Sequence, residues 1–329
     1  ADFLLFVTAL NVQISSMPAI SAAAPGKVIL VGEHAVVYGR PAIAAPVSQV
    51  RAKAIITAAP RRPSGSLRLQ APAIDLDSDW RNLPPEHPLV KAIELTLQAT
   101  GVPRPPACDL RISSTIPVAS GMGSGAAVTV ALIRALSSFL GCPLDKATIS
   151  NLAFEVEKIH HGTPSGIDNT VVTYETPVYF RRDHPLEVLR LPQPFHLIIG
   201  NTGISSPTAI TVSEVRKAWL ADRNAYESIF DSIGGIARQA RHLLITGQPE
   251  ALGPLFTQNH DLLRRLGFSS PELDHLVAVA LEAGATGAKM SGGGRGGNMI
   301  ALVEPDMATS VAESLMRAGA TATIQTRIG

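Results

Sequence analysis

Two glycine-rich stretches constrain this sequence more than any other feature. The first reads Ile116-Pro-Val-Ala-Ser-Gly-Met-Gly-Ser-Gly-Ala-Ala-Val128; Gly121, Gly123 and Gly125 alternate, and small Ala126 and Ala127 follow. Glycine admits positive φ and lets a backbone come close to a bulky neighbour. If a helix starts here, its free N–H groups and macrodipole make an anion site, with phosphate as the natural occupant. A tight turn packed against a helix would give the same pattern. The chain has no G-x-x-x-x-G-K-[ST] loop, so the common P-loop is excluded. The second stretch is Ala288-Lys-Met-Ser-Gly-Gly-Gly-Arg-Gly-Gly-Asn298. Glycine costs backbone entropy on folding, so such a run implies that a ligand or another backbone comes close. Strand-like sequence follows at once, which argues against a floppy hinge. Arg295 within it either reaches a phosphate or stands solvated at a loop tip.

Around these loops the chain must build a large core. Its 329 residues are 46% hydrophobic and 17% charged, which suits two domains and argues against disorder. A formal net charge of +1 supplies no long-range field for nucleic acid or an anionic membrane, so an anionic ligand needs a local site. Cys108 and Cys142 fit no metal-ligand spacing and read as two buried thiols in a reducing compartment. No apolar run reaches the ~18–20 residues of a membrane helix. Residues 1–16 are apolar at the start but lack a preceding basic stretch, and read as an extension or an added edge strand.

The hydrophobic pattern predicts strands near residues 27–31, 42–58, 107–113, 171–179, 195–200, 298–303 and 320–325. Helices are predicted over 87–100, 124–140, 146–160, 209–245, 251–266, 271–283 and 307–318, with a hairpin or loop over 64–79. Strands and helices interleave without a regular βαβ beat, so the expected class is α+β. The charged, proline-rich segment 181–194 is the candidate link between domains of residues 17–190 and 195–329.

Two further stretches carry reactive side chains. In Ala24-Pro-Gly-Lys-Val-Ile-Leu-Val-Gly-Glu-His-Ala-Val-Val-Tyr-Gly39, Lys27 opens a buried strand, a costly place for a charge without a partner. An anionic group would supply that partner; a snorkelling lysine would also satisfy the pattern. In Glu157-Lys-Ile-His-His-Gly-Thr-Pro-Ser-Gly-Ile-Asp-Asn169, Asp168 follows a Pro- and Gly-containing turn. It could accept a hydroxyl proton, bind Mg²⁺, or cap the turn. Glu157 could face the same cleft. Neighbouring His160 and His161 point different ways on a helix, which argues against a metal pair.

Together the four stretches resemble the GHMP kinase family, from about residue 22 to the C-terminus. The resemblance implies a two-domain α+β fold, with a ribosomal-protein-like N-terminal domain, a ferredoxin-like C-terminal domain and ATP and substrate meeting between them. Asp168 matches the family's proposed base and Lys27 its charge-stabilising lysine. Glu157 matches a Mg²⁺ ligand, with Ser124 as a second metal candidate. Pro117, Ser120, Gly121, Met122, Gly123, Ser124, Gly125, Ala126 and Ala127 match the phosphate loop, and Gly293 and Gly294 the C-terminal motif. Glu33, His34, Ser165 and Thr208, beside Lys27 and Asp168, match substrate positions.

Within the family, the Gly26-Lys27-Val28 start and Asp168 resemble members that phosphorylate mevalonate at its 5-hydroxyl, a cytoplasmic step of isoprenoid precursor synthesis. ATP and Mg²⁺ are then implied as cofactors and a homodimer as the assembly. A phosphomevalonate or sugar kinase, a mevalonate diphosphate decarboxylase-like lyase and a non-catalytic sensor are the alternatives; a sensor would be expected to lose Lys27 or Asp168. The sequence departs from the pattern twice. Gly125 stands where the family's metal-binding second serine falls, and Arg295 replaces a common glycine.

Overall fold

In the computed structural model, residues 19–117, 120–161, 164–205 and 208–329 are described; the side chains of residues 160–161 and 208–213 are not. Residues 1–16 therefore lie outside the description. The first sheet holds β1 (Ala19–Val31), β2 (Ala42–Ala58), β3 (Leu67–Ala71), β4 (Leu76–Asp79), β5 (Cys108–Ser114), β6 (Val178–Phe180) and β7 (Glu187–Val188). Its order is β4-β3-β5-β2-β6-β7, with β1 antiparallel to β2. The second is antiparallel, in the order β11-β8-β10-β9, from β8 (Phe195–Asn201), β9 (Gly287–Ser291), β10 (Asn298–Val303) and β11 (Ala322–Ile328). Helices α1 (Pro88–Thr100), α2 (Ser124–Phe139), α3 (Lys146–His161) and α4 (Ile167–Tyr174) fall within the first half. The second half holds α5 (Thr208–Ala221), α6 (Arg223–Ile245), α7 (Leu252–Arg265), α8 (Pro271–Glu282) and α9 (Ala308–Arg317). The result is the expected two-domain α+β architecture. None of the described helices is long and apolar enough to cross a membrane.

Helix α2 is the keystone of the first half. It packs on α1, α3, β1 and β2 and buries Val130, Leu132, Ile133 and Leu136. Each such side chain contributes roughly 1.5–3 kcal/mol on leaving water. This anchorage fixes the helix start, where the first glycine turn lies. Helix α1 shows its own boundary chemistry: the His87 ring accepts from Leu89 N–H, Pro88 opens the helix, and Gly101 at φ 71° closes it.

The structure departs from the sequence reading over residues 171–179 and 209–245, and at Cys142, which is exposed where a buried thiol is expected. Residues 171–174 close α4, and the strand begins only at Val178. The β-branched run Thr170-Val171-Val172-Thr173 looks like a strand, but burial in the core overrides that propensity. The span 209–245 is two helices, with Asp222 capping the second through a bond from Ala225 N–H. The hairpin over 64–79 forms as β3 and β4. Segment 181–194 contains β7, so residues 189–194 alone run between the two sheets.

Candidate active site

Strand β1 carries Lys27 into the core, where the residue is 3% exposed. Its register on β2 shifts between Pro25 and Gly26, and the Lys27 N–H donates to Met122 O at 3.0 Å. The strand is thereby tied to the first glycine turn. Helix α2 then starts from Gly123, at φ 69°, as its N-cap. A Cβ at Gly123 would lie 2.9 Å from Lys27 Cγ, so glycine is required for the lysine to pass the helix start.

Helix α4 supplies the opposite charge. Asp168 is in its first turn, where the macrodipole favours an anion, and Lys27 Nζ stands 2.9 Å from Asp168 Oδ1. Ser165 Oγ accepts from Ile167 N–H at 3.4 Å, shaping the approach to this helix. Glu157, on α3, is buried in the same cleft. Burial, then the charge of Asp168, pushes its carboxyl well above the usual range, with Lys27 acting the other way.

A cavity of about 420 Å³ runs from these groups across the turn. Ser120, Gly121, Gly123, Ser124, Gly125 and Ala126 line it together with Glu157 and Asp168. Its far end is largely apolar, formed by Ala71, Ile74, Pro88, Leu89 and Ile112, with His87. Sequence reasoning missed that end: the β3–β4 corner and α1 carry no glycine motif or charge signal. The space suits an elongated ligand with an anionic head at the α2 N-terminus and a flat apolar body beyond it.

Not every residue expected in the site faces this cavity. Met122 and Ala127 are core residues, and Pro117 serves the turn by accepting from Ser120 Oγ at 2.8 Å, while Ser120 itself lines the cavity. Gly293 and Gly294 lie off the cavity wall. Gly293 O is 3.1 Å from His34 Nε2, and a Cβ at Gly294 would lie 2.1 Å from Phe268 O. The second glycine loop approaches protein backbone: a Cβ at Gly297 would meet Ser120 O at 2.9 Å, and Asn298 Nδ2 donates to that oxygen at 2.6 Å. Arg295 pairs with Glu214 on α5, an exposed contact, and its N–H donates to Phe268 O at 2.8 Å.

Glu33 is fully buried and bonded to Lys289, a partner that sequence reasoning did not name. The pairing joins opposite ends of the chain, so no local pattern could reveal it. His34 sits at φ 60° with its ring stacked on Phe268 at 3.7 Å; burial lowers its pKa to about 4, so it is neutral at pH 7. Thr208 opens α5, but its side chain, like those of His160 and His161, is outside the described residues. Among the described residues no cluster of three or more His, Cys, Asp or Glu could hold a metal. Glu157, Asp168 and the Ser124 hydroxyl still form an oxygen-rich donor set suited to a hard cation that keeps several waters.

A buried lysine paired with a cleft-facing aspartate, beside the glycine turn that opens a helix, is an arrangement suited to phosphoryl transfer without a P-loop. The descriptions "GHMP kinases N terminal domain" and "GHMP kinases C terminal" match residues 87–176 and 240–321. The mevalonate kinase of Pyrococcus horikoshii is 35% identical over 91% of this chain and 92% of its own. The crystal structure of L. major mevalonate kinase in complex with R-mevalonate superposes with a TM-score of 0.81 and 30% identity, covering 96% of this chain and 97% of that one. The Methanococcus jannaschii mevalonate kinase structure gives a TM-score of 0.79 at 26% identity, over 95% and 98% of the two chains. The chain belongs to the GHMP kinase family. Within that family its likeness is to the mevalonate kinases.

Proposed function

We propose that this chain transfers the γ-phosphoryl group of ATP to the 5-hydroxyl of mevalonate, giving 5-phosphomevalonate and ADP. The observation that carries the chemistry is the Lys27–Asp168 pair packed against Gly123 at the start of α2. Whole-length likeness to mevalonate kinases, one with R-mevalonate bound, supports the substrate. The step supplies isoprenoid precursor synthesis, and we place it in the cytoplasm, in keeping with two free cysteines.

In this reading the amides at the start of α2 hold the ATP phosphates and the apolar end of the cavity takes the base. Asp168 accepts the proton of the substrate hydroxyl as its oxygen bonds to the γ-phosphorus and the bond to the ADP oxygen breaks. Lys27 offsets the negative charge that develops on the transferring group. Glu157 and Ser124, beside Asp168, would hold Mg²⁺, which supplies charge neutralisation on the phosphates. The substrate carboxylate also needs a cation. Arg182 is half-buried, donates to Pro164 O at 2.7 Å next to Ser165, and has no ion-pair partner among the described residues. We assign it to that carboxylate.

Coupled ADP release with mevalonate, phosphomevalonate and galactose side by side tests the proposal. Turnover with mevalonate alone is expected. Preferred turnover of either of the others, or release of carbon dioxide with ADP, overturns it.

A further inference from the structure

We propose that Glu33 is a positioning residue that touches no ligand, and that its buried pair with Lys289 holds strand β1, and so Lys27, in place. Both side chains are completely shielded from solvent, and both carboxylate oxygens of Glu33 are taken. Oε1 accepts from Lys289 Nζ, and Oε2 accepts from Asn259 Nδ2 at 3.2 Å. The same Asn259 accepts from Gly32 N–H at 3.4 Å, so one buried amide on α7 grips two successive residues after β1. Lys289 is held in turn by the Met290 carbonyl at 2.5 Å. With both charged side chains at 0% exposure, the cluster presents no open face to a substrate.

A second fastening lies two residues further along β9. Ser291 Oγ accepts from Ile29 N–H and donates to Ile29 O, each at 3.0 Å, acting on β1 as a neighbouring strand would. Lys289 and Ser291 share one face of β9 and grip β1 at Glu33 and Ile29. Lys27 lies two residues before Ile29, and its own N–H reaches Met122 O in the first glycine turn. A slip of β9 against β1 would therefore displace the ammonium group and the phosphate cradle together. A buried ion pair is a poor source of stability but a strong constraint on register, because breaking it strands a charge.

The inference rests on the phosphotransfer reading above, and its test is steady-state kinetics on full-length Glu33→Gln, Lys289→Met and the double variant, with thermal unfolding of each. Removing either charge is expected to lower kcat by up to about 100-fold, the scale of a small misplacement of reacting groups. KM for mevalonate should stay within about threefold, since no ligand contact is lost. The double variant should recover at least about tenfold in kcat over Lys289→Met, because it leaves no orphan carboxylate. Ser291→Ala should lower kcat with KM unchanged, and Ser291→Thr, which keeps the hydroxyl, should restore it. A raised KM for the alcohol with normal kcat in Glu33→Gln would make Glu33 a ligand contact and overturn the proposal. So would a double variant no better than Lys289→Met, whether through inactivity or failure to fold. A wild-type chain that phosphorylates no alcohol sinks the phosphotransfer reading instead.

Discussion

Lys27 Nζ and Asp168 Oδ1 stand 2.9 Å apart, the lysine shut away from solvent and the aspartate about a third open to the cleft. That asymmetry suits their proposed roles. The base must meet a substrate hydroxyl, whereas the cation acts through its field and gains from burial.

Asp168→Asn keeps an oxygen for the ammonium but cannot take a proton. Turnover should fall by about two to four orders of magnitude, the range for a lost acid–base group, while the fold survives. Stopped-time ADP release and circular dichroism check the two halves of this expectation. Near-normal turnover would remove Asp168 from the base role.

Gly123→Ala places a methyl 2.9 Å from Lys27 Cγ at a residue with φ 69°. Strain of about 1–3 kcal/mol is expected, with a loss of turnover larger than the loss of stability because Lys27 must move. Chemical denaturation and kcat measured on one preparation separate the two effects.

Gly125→Ser is the contrasting substitution. A Cβ there would meet no atom within 4 Å, and the position is exposed at the open side of α2. The fold should accept it and gain up to about 0.5–1 kcal/mol from the lost glycine entropy. The added hydroxyl lies where a second loop serine would stand. Titration of turnover against Mg²⁺ should show half-saturation at a lower concentration than in the wild type; an unchanged curve would exclude this position from the metal site.

Arg182→Met tests the carboxylate assignment. KM for mevalonate should rise about tenfold or more, while KM for ATP holds, as expected for a lost charge-assisted contact. An equal rise in both constants would point to collapse of the turn at Pro164 instead.

The reactive parts of this site were legible because they are local. Glycine spacing marks the cradle, and a lysine in an apolar strand or an aspartate after a glycine turn is conspicuous without a structure. What escaped was long-range. Nothing near Glu33 announces Lys289, and nothing in Ala71 or Ile74 announces a ligand wall. In the second glycine loop, where Gly293 and Gly294 are expected to meet a ligand, Gly297 presses on Ser120 and Gly294 on Phe268. Sequence reasoning had left close approach of backbone to backbone open as the other option, and glycine content alone cannot choose between them. The strand expected over 171–179 failed for a similar reason. β-branched residues report burial as well as strand geometry, and α4 buries Val171 and Val172 completely.

Glu157 gives a prediction in which stability and function part. Its carboxyl is raised well above the usual range, chiefly by burial and next by Asp168. Between the unfolded pKa and the folded one, the native chain therefore holds a proton that the unfolded chain has lost. Stability must fall as pH rises through that window, the reverse of the usual carboxylate behaviour. His34 and His260 act in the opposite sense: both are lowered to about 4 by burial, so their contribution is lost as pH falls from about 6.5 toward 4. Subtracting one protein from another removes this histidine background. The difference in unfolding free energy between Glu157→Gln and the ligand-free wild type should be small near pH 4 and grow in favour of the variant toward pH 7. Glu157→Gln should at the same time lose most of its turnover, because an amide cannot supply the anionic oxygen the cation needs. A stability difference that stays flat across that pH range would mean that the Glu157 carboxyl titrates alike in the native and unfolded chains, and that burial does not govern its charge.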